Sequence, residues 1–155
     1  MVSIARNRVV ERTELEDFIR PRHQGVLLTT RRSGRHQSSL VTMGLDVSGR
    51  IVVSSYPERV KVLNIKRDPA ASMVVMSDGF GGEWVHVDGE AEVIDLPDSV
   101  EPLVEYFRVI SGEHPDWDEY RQAMVDQGKC LIRLTIEHWG PIATGGFPQS
   151  VADKM

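Results

Sequence analysis

Two hydroxyls and two cations fall within eight residues near the middle of this chain: Ser54, Ser55, Arg59 and Lys61. The surrounding segment, IVVSSYPERVKVLNIKRDPAASM from Ile51 to Met73, reads as a strand, a turn around Ser55, Tyr56 and Pro57, a short helix over Arg59–Arg67, and a second strand after Pro69. A helix N-terminus presents unpaired backbone N–H groups and the positive end of the helix dipole. Arginine and lysine at that point make a site for a phosphate. Arg59 and Lys61 are two residues apart, so on a regular helix they diverge. They converge on one anion only if Arg59 stays in the turn or its side chain curls back. The same residues equally describe a solvated basic helix face.

Other residue types capable of chemistry show no productive spacing. His23, His36, His86, His114 and His138 lack a ligand pattern such as H-x-x-x-H, so no metal site is expected. Cys130, the single cysteine, sits in the strand-like KCLIRLTI and reads as a buried, inert thiol. GFGG at 79–82 precedes no helix and reads as a hairpin turn rather than a dinucleotide fingerprint. Glu113, Asp116, Asp118 and Glu119 read as the acidic start of a helix. No Ser-His-Asp or paired-carboxylate arrangement is visible, so no catalytic residue is assigned.

The elements that position these residues follow from periodicity and punctuation. Thr13 is placed to cap a helix burying Leu15, Phe18 and Ile19, ended by Pro21. GVLLTTRR from Gly25 and HQSSLVTMGLD form a hairpin about Ser33-Gly34. On its second strand Gln37, Ser39, Val41 and Met43 share one face, and Ser38, Leu40 and Thr42 the other. After a turn at Ser48-Gly49 comes the strand Ile51–Ser54, then the helix, then Ala70–Met76, apolar enough to be central. EWVHVDGEAEVID alternates, with a bulge expected at Gly89. Helices start at Ser99 and at Asp116, the second stopped by Gly128. Lys129–Trp139 is the last long strand. The pattern predicts an α+β protein, mainly antiparallel β, with helices segregated to one end of a barrel. It reads as one domain over 1–155, with the 1–12 arm and the 141–155 tail loose.

Composition narrows the function classes. At 41% apolar and 26% charged the chain is an ordinary globular one. The formal net charge of −5 argues against a nucleic-acid binder. No window approaches a membrane span, and the N-terminus has no signal-peptide core, so a cytoplasmic protein is expected. One cysteine suits a reducing compartment.

Several strings resemble the split β-barrel family of pyridoxamine-phosphate-oxidase-like proteins, in particular its actinobacterial deazaflavin (coenzyme F420)-dependent branch. They are GVLLTT, GRHQSSLV, KVLNIKRDPAASM, VHVDGEAEV and ISGEHPDWDEYRQAM, covering roughly Glu14 to Gly140. The resemblance implies a homodimer with the cofactor in a groove between two barrels. It matches Lys61, Arg59 and Ser54 to the phosphate, Gln37 and Ser39 to the ring system, and Trp84 to an aromatic position reached from the partner subunit. Arg31 or Arg32 would meet an acidic tail. Ala70 stands where the family usually has a second arginine, and Leu40 where the branch often carries an amide. The implied activity is hydride transfer between reduced F420 and an electron-poor small-molecule substrate. In that chemistry the cofactor reacts and the protein positions it, so no catalytic base need appear. FMN in place of F420, or a non-catalytic F420 or flavin carrier, are the alternatives.

Overall fold

The computed structural model describes residues 2–155. Its elements in order are β1 (Arg6–Arg8), α1 (Arg12–Ile19), β2 (Gln24–Thr30), β3 (His36–Thr42), β4 (Gly44–Leu45), β5 (Ile51–Ser55), α2 (Val60–Arg67), β6 (Ala70–Met76), β7 (Trp84–Ile94), α3 (Val100–Ser111), α4 (Trp117–Gln127), β8 (Cys130–Trp139), β9 (Ile142–Thr144) and α5 (Gln149–Ala152). The main path through the sheet is β3-β2-β6-β7-β8-β5-β4, antiparallel at every step. This is an α+β split barrel.

Alternation writes the curl. Leu27 and Thr29 of β2, Met73 and Val75 of β6, Val85 and Val87 of β7 all turn inward and are buried. With Ile51, Val53, Ile132 and Leu134 they form one apolar interior. The bulge falls between Asp88 and Gly89. A Cβ on Gly89 would collide with the Thr135 carbonyl oxygen, so only glycine lets β7 and β8 approach there.

The helices do not gather at one end, as the sequence suggests. α1 covers the end that holds Gly49 and Ile136, where Arg12 donates to both carbonyls. α2 covers the opposite end, where Asn64 donates to Thr29 Oγ1 at 3.1 Å. Leu15, Phe18 and Ile19 of α1, and Val62 and Ile65 of α2, join the barrel interior. α3 and α4 instead build a second cluster on the outside, Leu103, Val104, Tyr120 and Met124 against Val52 and Leu131. A curled sheet of this kind has two open rims, and each needs an apolar cover.

Two further expectations are corrected. The cap of α1 is Glu11, not Thr13. Within the described residues, part of the arm and tail is paired: β1 pairs with β9 in register Arg6↔Thr144 to Arg8↔Ile142, and Ala143 pairs with Trp84; residue 1 of the arm lies outside the described residues. Ile142 is buried, and Trp139 Nε1 donates to the Val10 carbonyl at 2.8 Å. Elsewhere the punctuation reads through: Asp116 accepts from the Glu119 N–H, and Gly128 ends α4 in the left-handed region.

Candidate functional site

The barrel does not close. β3 and β5 lie at opposite ends of the pairing path, yet the chain turns from β3 into β4, which pairs with β5 at Gly44↔Val52. The two strands therefore meet at one end and diverge beyond it. In this seam lies a recess of about 230 Å³ lined by Leu40, Val41, Thr42, Val53, Ser54, Lys61 and Tyr106.

Strand alternation sends Ser54 into the recess and Ser55 into the barrel. Ser55 is buried, and its hydroxyl has no hydrogen-bond partner among the described residues. Arg59 is the N-cap of α2, with extended φ −68° and ψ 142°. It thus stays in the turn, the condition under which it and Lys61 can address one anion. Its guanidinium carbon lies 5.8 Å from the centre of the Tyr56 ring. Lys61, half-buried in the first turn, has no carboxylate within ion-pair distance among the described residues. Burial first, and then the charge of Arg59, push its ammonium pKa below the usual lysine value, with Cys130 opposing weakly. A lysine disfavoured in its charged form, beside a second cation, is a place where an anion is stabilised.

The open edge of β3 adds backbone groups. The Arg31 N–H donates to the Arg35 carbonyl at 2.8 Å, and the Met43 N–H to that of His23 at 2.9 Å. By antiparallel alternation, residues 37, 39 and 41 then spend their backbone groups on β2, while 38, 40 and 42 turn theirs toward the seam. Two of those carbonyls are taken: Tyr106 Oη donates to Thr42 O at 2.9 Å, and Gln37 Nε2 to Ser38 O at 3.1 Å. Among the described residues, the N–H groups of Ser38, Leu40 and Thr42 and the C=O of Leu40 remain as a short unpaired edge. A flat heterocycle carrying donors and acceptors along one side can pair with it as a strand would.

A second recess, about 430 Å³, adjoins α2 on its other side and is lined by Arg31, Arg32, Val60, Leu63, Asn64 and Arg67. The arginines of the first hairpin and of α2 therefore share one rim. Their partners are neutral. Arg31 Nε donates to Gln37 Oε1 at 3.0 Å, and Arg67 to the Thr30 carbonyl and Asn64 Oδ1. Of the seven cations at the hairpin and helix (Arg31, Arg32, Arg35, Arg59, Lys61, Lys66, Arg67), only Lys66 has a carboxylate partner among the described residues, Asp95 at 2.7 Å. Elsewhere arginines are mostly neutralised, as in Arg50–Asp46, Arg121–Glu101 and Arg133–Glu92.

Ser54 and Lys61 thus line one recess; Arg59 does not line it, although its charge acts on Lys61. Gln37 and Ser39 lie on the other face of β3, opposite Thr29 and Leu27, and do not line it. Trp84 is on the outer sheet face. Register carries Thr42 through Gln24 and Met76 to Trp84, three strand spacings or roughly 14 Å. Within one subunit it does not meet Lys61. Sequence reasoning missed Tyr106. It falls on the amphipathic α3 beside Leu103 and Phe107, and nothing local distinguishes it from a packing aromatic. Asp88, Ser72 and His86 also cluster on the outer face. Ser72 Oγ and His86 both bond the carboxylate, so the serine is not activated by the histidine.

Residues 12–143 match the pyridoxamine 5'-phosphate oxidase family. The chain belongs to this family. Among solved structures it is similar to a conserved hypothetical protein from Mycobacterium tuberculosis, with TM-score 0.73 and 18% identity over 90% of this chain and 89% of that one. It is also similar to a putative 5-nitroimidazole antibiotic resistance protein from Bacteroides thetaiotaomicron, with TM-score 0.72 and 12% identity over 94% and 92% of the two chains. An F420 reductase matches with TM-score 0.60 and 19% identity over 80% of this chain and 94% of that one. At these identities the structures show a common fold. Among the described residues no helix is long and apolar enough to cross a membrane.

Proposed function

We propose that this protein is a homodimeric oxidoreductase that binds the deazaflavin coenzyme F420 and reduces an electron-poor organic substrate. One observation carries the reading. In a chain of net charge −5, un-neutralised cations run from the Lys61 recess around α2 to Arg31, Arg32 and Arg67. A cofactor ending at a single phosphate needs only the first of these subsites. A phosphodiester followed by an acidic tail needs both. The F420 reductase among the structural relatives supports the same reading by likeness of fold.

In this reading Ser54 donates to a phosphate oxygen and Lys61 and Arg59 neutralise it. The unpaired edge at Leu40 and Thr42 orients the ring, and Tyr106, tied to Thr42, holds α3 over the recess. Gln37 keeps Arg31 on the rim. When bound, the reduced deazaflavin supplies a hydride, and a solvent proton completes a two-electron reduction of the acceptor. The chain offers no general base there and needs none.

The second copy belongs on the outer face of β3-β2-β6-β7. Val26, Leu28, Val74 and Met76 are only half-buried there, Leu40 is 85% exposed and Trp84 41%. So large an apolar sheet face is a candidate association surface. A twofold partner on it would bring its own Trp84 toward this subunit's groove.

Titration of the purified protein tests the proposal. F420 should bind at least about tenfold more tightly than FMN, and the preference should shrink between 0.05 and about 0.5 M salt as the exposed tail contacts are screened. Equal or tighter FMN binding at low salt rejects it. Binding without turnover of any acceptor by reduced F420 makes the protein a carrier.

A further inference from the structure

Beyond the cofactor groove, a recess on the outer side of the sheet has a different chemistry. It measures about 460 Å³, within the usual range for small-molecule sites. It lies between the β6–β7 loop and the segment after β9, and its side-chain walls are Val74, Met76, Phe80 and Trp84. Val74, Met76 and Trp84 belong to the sheet face assigned above to the second copy, so in the proposed dimer this recess lies at the subunit boundary and faces the partner subunit's groove. Phe80, at the tip of the loop, is 95% exposed. An aromatic ring held in water at such a position finds its burial only against a ligand or a partner.

The loop is held at its base. The Gly82 N–H donates to the Gly79 carbonyl at 2.9 Å, and Ser77 Oγ to that of Glu83 at 2.6 Å. The opposite wall is fixed by the Phe147 N–H to Ser3 O at 2.8 Å and the Ala5 N–H to Phe147 O at 2.9 Å. The floor is the Met76↔Trp84 pair, braced by Ala143. Glycines border the open space between. A Cβ on Gly79, Gly81 or Gly145 would touch nothing within 4 Å.

Among the described residues no lysine or arginine lines this recess, and the one charged side chain in its lining is Glu83, whose carboxylate leans toward Arg8 at 3.7 Å. The Ser77 hydroxyl is already engaged. An anion placed here would face the Glu83 carboxylate, while the neighbouring guanidiniums of Arg8 and Arg22 are already engaged, the first on Glu83 and the second donating from Nε to Ser77 Oγ at 3.3 Å. The recess also neighbours the seam through shared lining residues. Met76 lines a neighbouring hollow with Gln24, Leu40, Val41 and Thr42, and those last three line the Lys61 recess. The sheet face thus runs from a cationic end to an aromatic one.

We propose that the Phe80–Trp84 recess is the substrate pocket, and that it takes an uncharged, planar aromatic ring of about two fused rings, stacked on Trp84 and covered by Phe80. The assignment as substrate pocket rests on the oxidoreductase reading above; the ligand chemistry does not. A pocket of this composition discriminates by charge: the cofactor's acidic groups are excluded from it, and the neutral acceptor is not drawn to the arginine rim.

Equilibrium dialysis with two probes of one ring size tests this on the full chain without added cofactor. 2-Acetylnaphthalene should bind, and naphthalene-2-carboxylate should bind at least tenfold more weakly. Phe80→Ala should weaken 2-acetylnaphthalene at least fivefold without touching the fold, since the ring is exposed. Gly145→Leu, which projects a side chain into free space, should block it. Lys61→Ala should leave it unchanged while weakening F420. Equal affinity for the two probes, or wild-type affinity in both Phe80→Ala and Gly145→Leu, overturns the proposal. Neither result bears on F420 binding, and a failure of F420 to bind would not alter the probe measurements.

Discussion

Replacing Lys61 by alanine should separate two roles of a surface cation that look alike in sequence. A lysine that stabilises the fold has a partner; Lys61 has no carboxylate within reach among the described residues, and Arg59 repels it. Removing it should therefore shift the unfolding free energy by no more than about 0.5 kcal/mol. Binding is different. A charge-assisted hydrogen bond to phosphate contributes about 1.5–3 kcal/mol, which is roughly ten- to a hundredfold in affinity. Urea unfolding reads the first quantity, and titration of F420 fluorescence reads the second. The pH dependence gives an independent check. Lys61 is held below the usual lysine pKa by burial and by Arg59, and a bound anion favours its protonated form. Affinity should be full below the pKa of the free protein and fall as pH rises past it, starting at lower pH than an ordinary lysine would give. In Lys61→Ala that alkaline fall should vanish. Affinity within twofold of wild type, or a loss of affinity matched by an equal loss of fold stability, refutes the anchor.

Four other outcomes follow from the geometry. Gly89→Ala drives a methyl into the Thr135 carbonyl and should cost about 3 kcal/mol or more in urea unfolding; a loss under about 1 kcal/mol means the bulge can relax. Ser55→Ala removes a buried hydroxyl that satisfies nothing, and should be neutral or stabilising by up to about 1 kcal/mol with cofactor affinity unchanged; weaker F420 binding would place that hydroxyl on the ligand instead. The Tyr120 hydroxyl, buried and donating to the Leu103 carbonyl, has its pKa pushed up to about 12. The neutral form is favoured by folding, so its contribution is full below pH 10 and is lost as pH rises toward 12. Tyr120→Phe should flatten that alkaline loss in unfolding titrations. Leu40→Asp, on the exposed outer face, should leave the monomer fold intact but lower the mass measured by light scattering at micromolar concentration from dimer to monomer; a wild-type monomer under the same conditions dismisses the shared groove.

Much of the barrel was legible because its signals are local. The alternation of Val85 and Val87 against Trp84 and His86 fixes which face of β7 is buried, whatever the rest of the chain does. Asp116, Gly128 and the Ser33-Gly34 turn act within a few residues of themselves. Ser54, Arg59 and Lys61 stood out for the same reason, as a strand-to-helix junction rich in donors. What sequence alone left open was whether Arg59 stays in the turn, and the extended N-cap of α2 places it there.

The rest depends on contacts that local pattern does not encode. β1 is three exposed residues without alternation, and its partner lies more than 130 positions away in a glycine-rich tail, so both read as loose ends. The seam exists because β3 and β5, far apart along the pairing path, are brought together by the short β4; no property of either strand announces an unpaired edge. Tyr106 reaches Thr42 only after α3 docks on the barrel. The sequence on its own determined which residues are strand, helix and turn, and where cations gather, since these are set by side-chain period and neighbouring backbone. Which cations share a rim, which backbone groups stay free, and where aromatic rings meet water were decided by tertiary structure, because each depends on how a curled sheet brings distant strands together.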